Sequence, residues 1–290
     1  MTAAGGTPLP IERAPDALRE RVAVWRQTGA RVGLVPTMGA IHAGHLALVE
    51  RARELCDRVV VSVFVNPKQF DRAGDLDAYP RMEARDAATL ADAGADLMYA
   101  PTPAVMYPDG FATTVRVVGV TEMLEGPSRP GHFEGVATVV TKLLLQALPG
   151  DAFFGEKDYQ QLAVVRRLVA DLDIPVRVHG VPIVREADGL ALSSRNQNLT
   201  PAQRDIAPAL AAALRRAAAR LTAGEDATTV LVDAADAVRA AGFERVDYLE
   251  LRDAANLAPL TRADRAGRLL AAAWLGPVRL IDNIAVEPAA

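Results

Sequence analysis

The stretch at residues 32–54 limits the possible folds more than any other part of the chain. It begins with a short apolar run at residues 32–35, which has the length of a buried parallel strand, and the sequence Pro-Thr-Met-Gly then breaks this run. A helical pattern follows, with Leu46, Leu48 and Val49 on the apolar side and charged residues on the other. The order of strand, turn and helix predicts one βα unit of a parallel sheet.

His42 and His45 lie between this strand and this helix, in the sequence His-Ala-Gly-His. Two imidazoles three residues apart at a helix start can face the same way, and the first turn of a helix has unpaired N–H groups with partial positive charge. Gly39 and Gly44 allow close approach to the backbone because they have no Cβ atom. We expect a polyphosphate site here. The alternative is that the two histidines only cap the helix.

The alternation of strand and helix continues through the first two thirds of the chain. Strands are predicted at residues 59–65, 96–100, 151–154 and 176–179, and helices at residues 14–28, 82–93 and 135–148 and from the GEKDYQQ sequence to about residue 172. The β-branched run at 59–65 is typical of a central strand buried on both faces. Repeated strands and helices with short connections predict a doubly wound parallel α/β sheet.

The pattern changes after residue 184. Ala-rich helices are predicted at residues 201–222 and 227–241, and three short strands at 246–252, 268–275 and 278–284. We therefore expect an α/β domain at residues 1–184 and a smaller C-terminal α+β domain at residues 185–290.

Composition narrows the choice of partners and compartment. The net charge is −4 and no Lys/Arg-rich block is present, so we expect no long nucleic-acid surface. Cys56 is the only cysteine, which excludes an intrachain disulfide and a cysteine-based metal site, and it fits a packed or half-buried thiol. No apolar run approaches membrane-spanning length and the N-terminus lacks a signal-peptide pattern, so we expect a cytoplasmic protein without a membrane partner.

Seven separated motifs resemble those of the pantothenate synthetase family and keep that family's order: PTMGAIHAGH, VSVFVNPKQF, DLDAYPR, SRPGHFEGV, FFGEKDYQQ, VREADGLALSSRN and LIDNIAVE. The HxGH element itself resembles the phosphate-binding motif of the HIGH nucleotidyltransferase superfamily. The resemblance implies a Rossmann-like N-terminal domain with the active site, a C-terminal lid domain and a homodimer. It also implies an ATP-dependent ligase that joins pantoate to β-alanine through a pantoyl adenylate, with Mg²⁺ on the ATP phosphates.

The resemblance also implies roles for individual residues. The ATP-binding set is Met38, Gly39, His42, Gly44, His45, Gly155, Lys157, Asp158, Val184, Leu192, Ser193, Ser194 and Arg195. Within this set the catalytic group is His42, His45, Lys157, Ser193, Ser194 and Arg195, with His45 as the proton donor to the leaving pyrophosphate. The amides of Gln69 and Gln161 are expected to bind pantoate, supported by Asn66, Tyr79, Arg129 and His132. We assign Mg²⁺ to the ATP phosphates and assign no protein residue as its ligand.

Several of these residues also have simpler interpretations. Lys157 could be a solvated charge, and a Ser-Ser-Arg sequence is usually only a loop. His132 fits a pantoate pocket and a helix cap about equally well. His179, at the end of an apolar strand, is better explained as a hydrogen-bonded structural histidine, and Trp25 and Trp274 as core residues.

Two positions depart from the common family pattern. Lys68 stands where methionine is usual, and it either adds a cation near the substrate or points to solvent. The acidic cluster expected at residues 83–86 is interrupted by Arg85, which puts a magnesium-binding role for this cluster in doubt.

Three rival functions make different predictions. Another HxGH adenylyltransferase does not predict the paired glutamines or the C-terminal domain. A non-catalytic nucleotide-binding module predicts the loss of His45 or Lys157, and both are present. A tRNA synthetase requires a basic anticodon-binding domain, for which the sequence gives no sign.

Overall fold

The computed structural model describes residues 8–70 and 82–288. Contacts within the chain divide it into two units. The first unit is Met1–Gly155 with Val164–Val181, and the second unit is Glu156–Ala163 with Pro182–Ala290. The expected boundary after residue 184 therefore has a counterpart at Pro182, but the segment Glu156–Ala163 groups with the second unit.

The first unit contains a parallel sheet of six strands in the order β1-β4-β3-β2-β5-β6. Its strands are β1 (Ile11–Glu12), β2 (Val32–Thr37), β3 (Arg58–Val63), β4 (Leu97–Tyr99), β5 (Asp151–Gly155) and β6 (Arg177–Val181). Its helices are α1 (Pro15–Gln27), α2 (Ala43–Leu55), α3 (Glu83–Asp92), α4 (Pro103–Met106), α5 (Glu125–Ser128) and α6 (His132–Ala147). Helix α7 (Tyr159–Asp171) begins in the second unit and continues in the first.

The central strands are apolar on both faces because helices pack on the sheet. Val35 and Val61 are fully buried and share a hydrophobic cluster with Val49 of α2 and Leu90 of α3. This burial explains the β-branched composition of β3. The parallel α/β architecture predicted from the sequence is confirmed.

The second unit contains an antiparallel sheet of three strands, β7 (Arg245–Asp253), β8 (Gly267–Leu275) and β9 (Val278–Val286). Helices α8 (Pro201–Ile206), α9 (Pro208–Thr222) and α10 (Ala227–Ala240) complete it. Thr200 and Gln203 form a capping box at α8, and Asp226 caps α10. Leu214 of α9, Val230 of α10 and Leu269 of β8 are fully buried in one cluster. The expected α+β character of this part is confirmed.

Asp151 is the centre of a charged cluster at the amino ends of β2, β5 and β6. Its fully buried carboxylate accepts hydrogen bonds from Arg31 (2.6 and 2.7 Å), Arg177 (3.1 Å) and His179 (2.7 Å). Burial opposes ionisation, but these hydrogen bonds outweigh it and hold the pKa of Asp151 well below its usual range. The prediction that His179 is a structural histidine is confirmed. Nearby, burial raises the pKa of the half-buried Cys56 thiol to about 11, which does not fit a nucleophile.

Some local predictions need correction. Trp25 and Trp274 are only partly buried, because each indole packs beside an arginine, Arg58 and Arg245 respectively, at the edge of its unit. Helix α6 begins at His132 and not at residue 135, because Gly131, at φ +78°, allows the chain to turn directly into the helix.

Within the described residues, no helix combines the length and apolar character that a bilayer crossing requires.

Candidate functional site

The turn after β2 lies where the strand order of the parallel sheet reverses. Strand β2 has β3 on one side and β5 on the other, and open α/β sheets bind ligands outside the carboxyl ends of strands at such a point. Gly39 has φ +85°, and a Cβ atom there would lie 2.9 Å from Asp86 Oδ2 and 3.2 Å from Val63 Cγ1. The turn therefore requires glycine at this position. Ala40, at φ +51°, is also left-handed.

Asp86 holds this turn in place. Its carboxylate, on α3, is 2% exposed and accepts the backbone N–H groups of Ala40 and Ile41, each at 2.9 Å. Two hydrogen bonds from consecutive amides fix the backbone just before the HxGH histidines. Glu83, one turn earlier, pairs instead with Arg13. Within the interrupted acidic cluster, Asp86 therefore fixes the turn and Glu83 forms a surface ion pair.

His42 and His45 form a capping box at the start of α2. His42 Nδ1 accepts from the N–H of Gly44 at 3.1 Å, and His45 Nδ1 accepts from the N–H of His42 at 3.4 Å. The two rings stack with their centroids 4.0 Å apart. A Cβ atom on Gly44 would lie 2.9 Å from His42 Cε1, so this glycine leaves room for the ring.

This cap determines where each ring carries its proton. A nitrogen that accepts a hydrogen bond is unprotonated, so the neutral rings of His42 and His45 carry hydrogen on Nε2. The expectation that the amides of the first turn are unpaired is wrong, because those of Gly44, His45 and Leu46 all bond to His42. An anion here would be bound by imidazole N–H groups rather than by these amides.

Gln69 follows β3 and is held by two neighbours. Its Oε1 accepts from Asn66 Nδ2 at 3.0 Å, and its Nε2 contacts Met38 Sδ at 2.9 Å. Asn66 is 1% exposed, and its side chain also bonds to Gly135 O and to the hydroxyl of Tyr107. Asn66 therefore orients Gln69 from behind. Its expected contact with the substrate stays a prediction.

Helix α6 approaches the same loop very closely. A Cβ atom on Gly135 would lie 2.2 Å from Lys68 O and 2.7 Å from Gln69 N, distances that no side chain tolerates. His132, in the first turn of α6, adds a contact between its Nδ1 and Gln69 O at 2.9 Å, and its Nε2 lies 3.1 Å from an Arg129 nitrogen. His132 is thus buried beside the Gln69 loop.

The side chain of Lys68 packs on two aromatic rings. Its ammonium lies over the rings of Tyr107 (5.1 Å) and Phe111 (5.0 Å), which are favourable cation–π contacts. Lys68 is exposed, which agrees with the solvent-facing alternative, although the sequence did not predict the packing on the two rings.

In the second unit, Lys157 lies in a short 3₁₀ turn, Glu156–Asp158, whose backbone is fixed by β9. Asn283 Nδ2 donates to the carbonyls of Glu156 (2.9 Å) and Lys157 (3.0 Å). The Lys157 side chain is only 17% exposed, so it is not a freely solvated surface lysine. Asp158 is half exposed.

A hairpin at residues 184–192 carries the Ser-Ser-Arg loop. Val184 O accepts the N–H of Leu192 at 3.0 Å, and Arg185 forms a bidentate pair with Asp282 of β9 at 2.7 and 2.8 Å. Ser193 then caps a 3₁₀ turn, Ser194–Asn198, by accepting the N–H of Arg195.

Three of the predicted ATP-binding residues line one small cavity of the second unit. Lys157, Ser193 and Arg195 meet there, and the remaining wall is formed by Leu190, Ala191, Asn196, Ala207, Leu210, Ala211, Arg279, Leu280, Ile281 and Asp282. Lys157, Arg195 and the Ser193 hydroxyl suit an anionic group, whereas the other charged residues of the wall, Arg279 and Asp282, pair with Asp247 and Arg185 respectively.

The remaining predicted residues lie as follows. Gly155 ends β5 in the first unit. Gln161 is half-buried on α7, whereas the adjacent Gln160 is 3% exposed, so Gln161 is the accessible amide of the pair. Tyr79 lies outside the described residues. Within residues 8–70 and 82–288, no group of three or more His, Cys, Asp or Glu side chains is arranged to hold a metal ion.

The sequence did not reveal the residues that hold the candidate site residues in place. From the sequence, Asp86 belongs only to a possible magnesium-binding cluster, and Asp282 and Asn283 belong only to the LIDNIAVE motif. An Asp-Asn pair within an otherwise apolar strand pattern is a usable sequence signal. Such polar side chains are often buried, and buried polar side chains normally form specific hydrogen bonds.

The sheet topology and the capped histidine pair define an α/β protein of the HxGH nucleotide-binding class. The model of the family described as Pantoate-beta-alanine ligase matches residues 11–285. The chain belongs to the pantoate–β-alanine ligase family, which is a family of enzymes.

Relatives agree over almost the whole chain. It is 61% identical to a pantothenate synthetase of Chelativorans sp. (strain BNC1) over 282 residues, covering 97% of this chain and 99% of the relative. The corresponding identity to a pantothenate synthetase of Paramagnetospirillum magneticum is 60%, with the same coverage.

Solved structures also match. A pantothenate synthetase from Thermus thermophilus aligns with a TM-score of 0.91 and 48% identity, over 97% of this chain and 100% of that one. A pantoate-beta-alanine ligase from Francisella tularensis, complexed with Beta-gamma ATP and Beta-alanine, aligns with a TM-score of 0.78 and 33% identity, over 95% and 97%.

Proposed function

We propose that the protein condenses pantoate with β-alanine in an ATP-dependent reaction that passes through pantoyl adenylate and releases pyrophosphate and AMP. The observation that carries this proposal is the capped histidine pair after the switch-point strand, in a chain of the pantoate–β-alanine ligase family. The complex of the Francisella relative with an ATP compound and β-alanine supports the choice of substrates.

In the first step, a carboxylate oxygen of pantoate attacks the α-phosphorus of ATP. The bond between this phosphorus and the bridging oxygen to the β-phosphate breaks, and pyrophosphate leaves with the electron pair. Negative charge grows on the phosphate oxygens, so fixed N–H donors and cations lower the barrier.

In the first unit, the Nε2–H groups of His42 and His45 act as these donors. The orientation of these groups is fixed because backbone amides donate hydrogen bonds to Nδ1 of the same two rings. His45 supports the departing pyrophosphate as a hydrogen-bond donor. The Met38–Gly39 turn and Gly44 allow close approach, and Gly155 does the same at the end of β5.

Gln69 binds pantoate through its amide, and Asn66 and His132 keep that amide oriented. An amide suits this task because a cation would bind the carboxylate more tightly and weaken its attack. Arg129, beside His132, supports the same loop. Tyr79 keeps its proposed role in this pocket on the family resemblance alone.

In the second unit, Lys157 and Arg195 supply positive charge, and Ser193 and Ser194 supply hydroxyls, to bind phosphate oxygens. Asp158 accepts from ribose hydroxyls, and main-chain atoms at Val184 and Leu192 contact the adenine. Gln161 contributes a second amide for pantoate.

In the second step, the amine of β-alanine attacks the acyl carbon of pantoyl adenylate. The bond from this carbon to the phosphate oxygen breaks, AMP leaves, and the new amide nitrogen loses a proton. We further propose that magnesium enters with ATP as its counter-ion, since both carboxylate oxygens of Asp86 are bonded to backbone amides.

The family resemblance also supports a cytoplasmic homodimer without membrane or nucleic-acid partners. Sedimentation equilibrium gives twice the chain mass if this is correct, and the mass of one chain contradicts it.

The direct test is exchange of labelled pyrophosphate into ATP in magnesium buffer, with pantoate present and β-alanine absent. Pantoate-dependent exchange is expected, because adenylation precedes arrival of the amine. AMP formed only after β-alanine is added would contradict a free adenylate, and no AMP under either condition would contradict the ligase function.

A further inference from the structure

We propose that Asn283 is a positioning residue for Lys157, and this inference rests on the proposed function of Lys157 in binding ATP. Asn283 lies in β9, is 2% exposed, and belongs to neither the expected ATP-binding nor the expected pantoate-binding set. It acts on the backbone that carries Lys157.

All the polar groups of the Asn283 amide face protein partners. Nδ2 donates to Glu156 O at 2.9 Å and to Lys157 O at 3.0 Å, and Oδ1 accepts from Arg268 Nε at 2.6 Å. One buried side chain therefore fixes two successive carbonyls of the 3₁₀ turn. Glu156 and Lys157 are 127 and 126 residues away from Asn283 in the sequence, so no local secondary structure replaces these hydrogen bonds when Asn283 is changed.

Arg268 of β8 contacts the side chain of Glu156 in the same turn and the ring of Tyr159, which follows the turn. It donates to Glu156 Oε2 at 2.9 Å, and its guanidinium carbon lies 4.2 Å from the ring centroid of Tyr159. Tyr159 in turn donates from its hydroxyl to Ala254 O at 2.8 Å. Backbone and flanking side chains are thus both fixed, while the Lys157 side chain extends to the cavity lined by Ser193 and Arg195.

Asparagine is well suited to this position. Aspartate keeps the acceptor for Arg268 but places a charged oxygen against the two carbonyls, which repel it. Serine is too short to reach both. A shift of the turn moves Lys157 relative to the Ser-Ser-Arg loop. Even a small displacement of a positioned group lowers the rate of phosphoryl transfer.

The test is a double-mutant cycle with Asn283→Asp, Lys157→Ala and both together in the full-length protein, measured as pantoate-dependent pyrophosphate exchange at varied ATP. Asn283→Asp is expected to lower kcat/KM for ATP about tenfold in the wild-type background and less than about twofold in the Lys157→Ala background. The KM for β-alanine in the complete reaction should stay within about twofold.

Asp226→Ala is the matched control, because it removes the cap of α10 and destabilises the same unit without contacting the Lys157 turn. It should lower the Tm and leave kcat/KM for ATP unchanged. If Asn283→Asp does not fold, Asn283→Ser takes its place in the cycle. Equal losses in both backgrounds overturn the proposal, and so does failure of both variants to fold, because Asn283 would then serve only stability. Absence of both exchange and AMP formation in the wild-type protein overturns instead the proposed function.

Discussion

At the scale of single residues, the two interpretations of the HxGH histidines turn out to be compatible. The rings cap α2 through Nδ1, and the same bonds leave the proton on Nε2. Capping is therefore compatible with the proposed donation of a hydrogen bond from Nε2–H to an anion. The capping interactions were within reach of the sequence, but the stacking of the rings at 4.0 Å was not, because it depends on side-chain rotamers.

The first prediction concerns His45. In His45→Asn, an amide oxygen can still accept the His42 N–H, but the Nε2–H donor is lost. We expect pyrophosphate exchange to fall by about 10²–10³, a loss typical of removing one donor to developing charge. His179→Asn is the control, since His179 bonds to Asp151 at the amino end of β5, and its exchange rate should stay within about twofold. Near-normal exchange by His45→Asn would rule out the proposed donor.

The second prediction concerns Gln161. Gln161→Glu places a carboxylate where the carboxylate of pantoate is proposed to bind, so the KM for pantoate should rise by about tenfold or more. The matched control is Gln203→Glu, the same change in the capping box of α8, where glutamate is equally suitable. An unchanged KM for pantoate in Gln161→Glu would argue against direct contact. Steady-state kinetics at saturating ATP and β-alanine provide the measurement.

At the scale of elements, the turn between β2 and α2 is held by a different helix. Asp86 of α3 binds the amides of Ala40 and Ile41, and Ala40 adopts a left-handed φ that alanine normally avoids. The conformation of the turn thus depends on a tertiary contact.

The third prediction follows from this contact. Asp86→Asn retains one acceptor and faces the second amide with an N–H group, so one buried amide loses its partner. We expect a loss of about 1–3 kcal/mol in the free energy of unfolding and about a tenfold decrease in kcat/KM for ATP. Glu83→Gln, on the same helix, should change neither by much, because its pair with Arg13 is exposed. Urea unfolding and pyrophosphate exchange measure the two effects. Equal behaviour of the two variants would show that the turn does not depend on Asp86.

Elements with strong local signals were predictable from the sequence. The predicted bounds of β3 and of the helix at 227–241 lie within a few residues of the observed ones, whereas the helix predicted at 201–222 is divided at Ala207 into α8 and α9. Strand β1, Ile11–Glu12, was not predicted, because two residues carry no periodicity and the strand exists only through its pairing with β4. The true start of α6 was missed because it depends on the backbone of Gly131.

At the scale of the whole molecule, the grouping of Glu156–Ala163 with the second unit could not be predicted. The bonds that tie this segment to β9 span 126 and 127 residues, and no local pattern encodes them. The residues expected to bind ATP were found through motif resemblance, whereas the residues that hold them were found only in the structure.

The fourth prediction concerns acid stability. The folded-state pKa of Asp151 lies below its unfolded value of 3.8, so its ionised form stabilises the fold above that pH, and the contribution is lost as pH falls through the folded-state pKa. Asp151→Asn should therefore cost about 3 kcal/mol of unfolding free energy at pH 7. This difference from wild type should shrink as pH falls below about 4.

The measurement is urea unfolding of both proteins from pH 7 down to pH 3. Asp264→Asn is a useful comparison, because Asp264 pairs with Arg265 on an exposed surface and should contribute little at any pH. A pH-independent difference between wild type and Asp151→Asn would mean that its charge does not stabilise the fold.

The close packing at Gly135 has a consequence for how this enzyme can be altered. Helix α6 and the Gln69 loop approach each other so closely that neither backbone can shift without the other. Changes of loop side chains alone would therefore alter the proposed contact with pantoate while the loop backbone stays in place. A redesign that accommodates a bulkier acid must instead move the helix and the loop together. It must also retain Gly135, because the two backbones are in contact there.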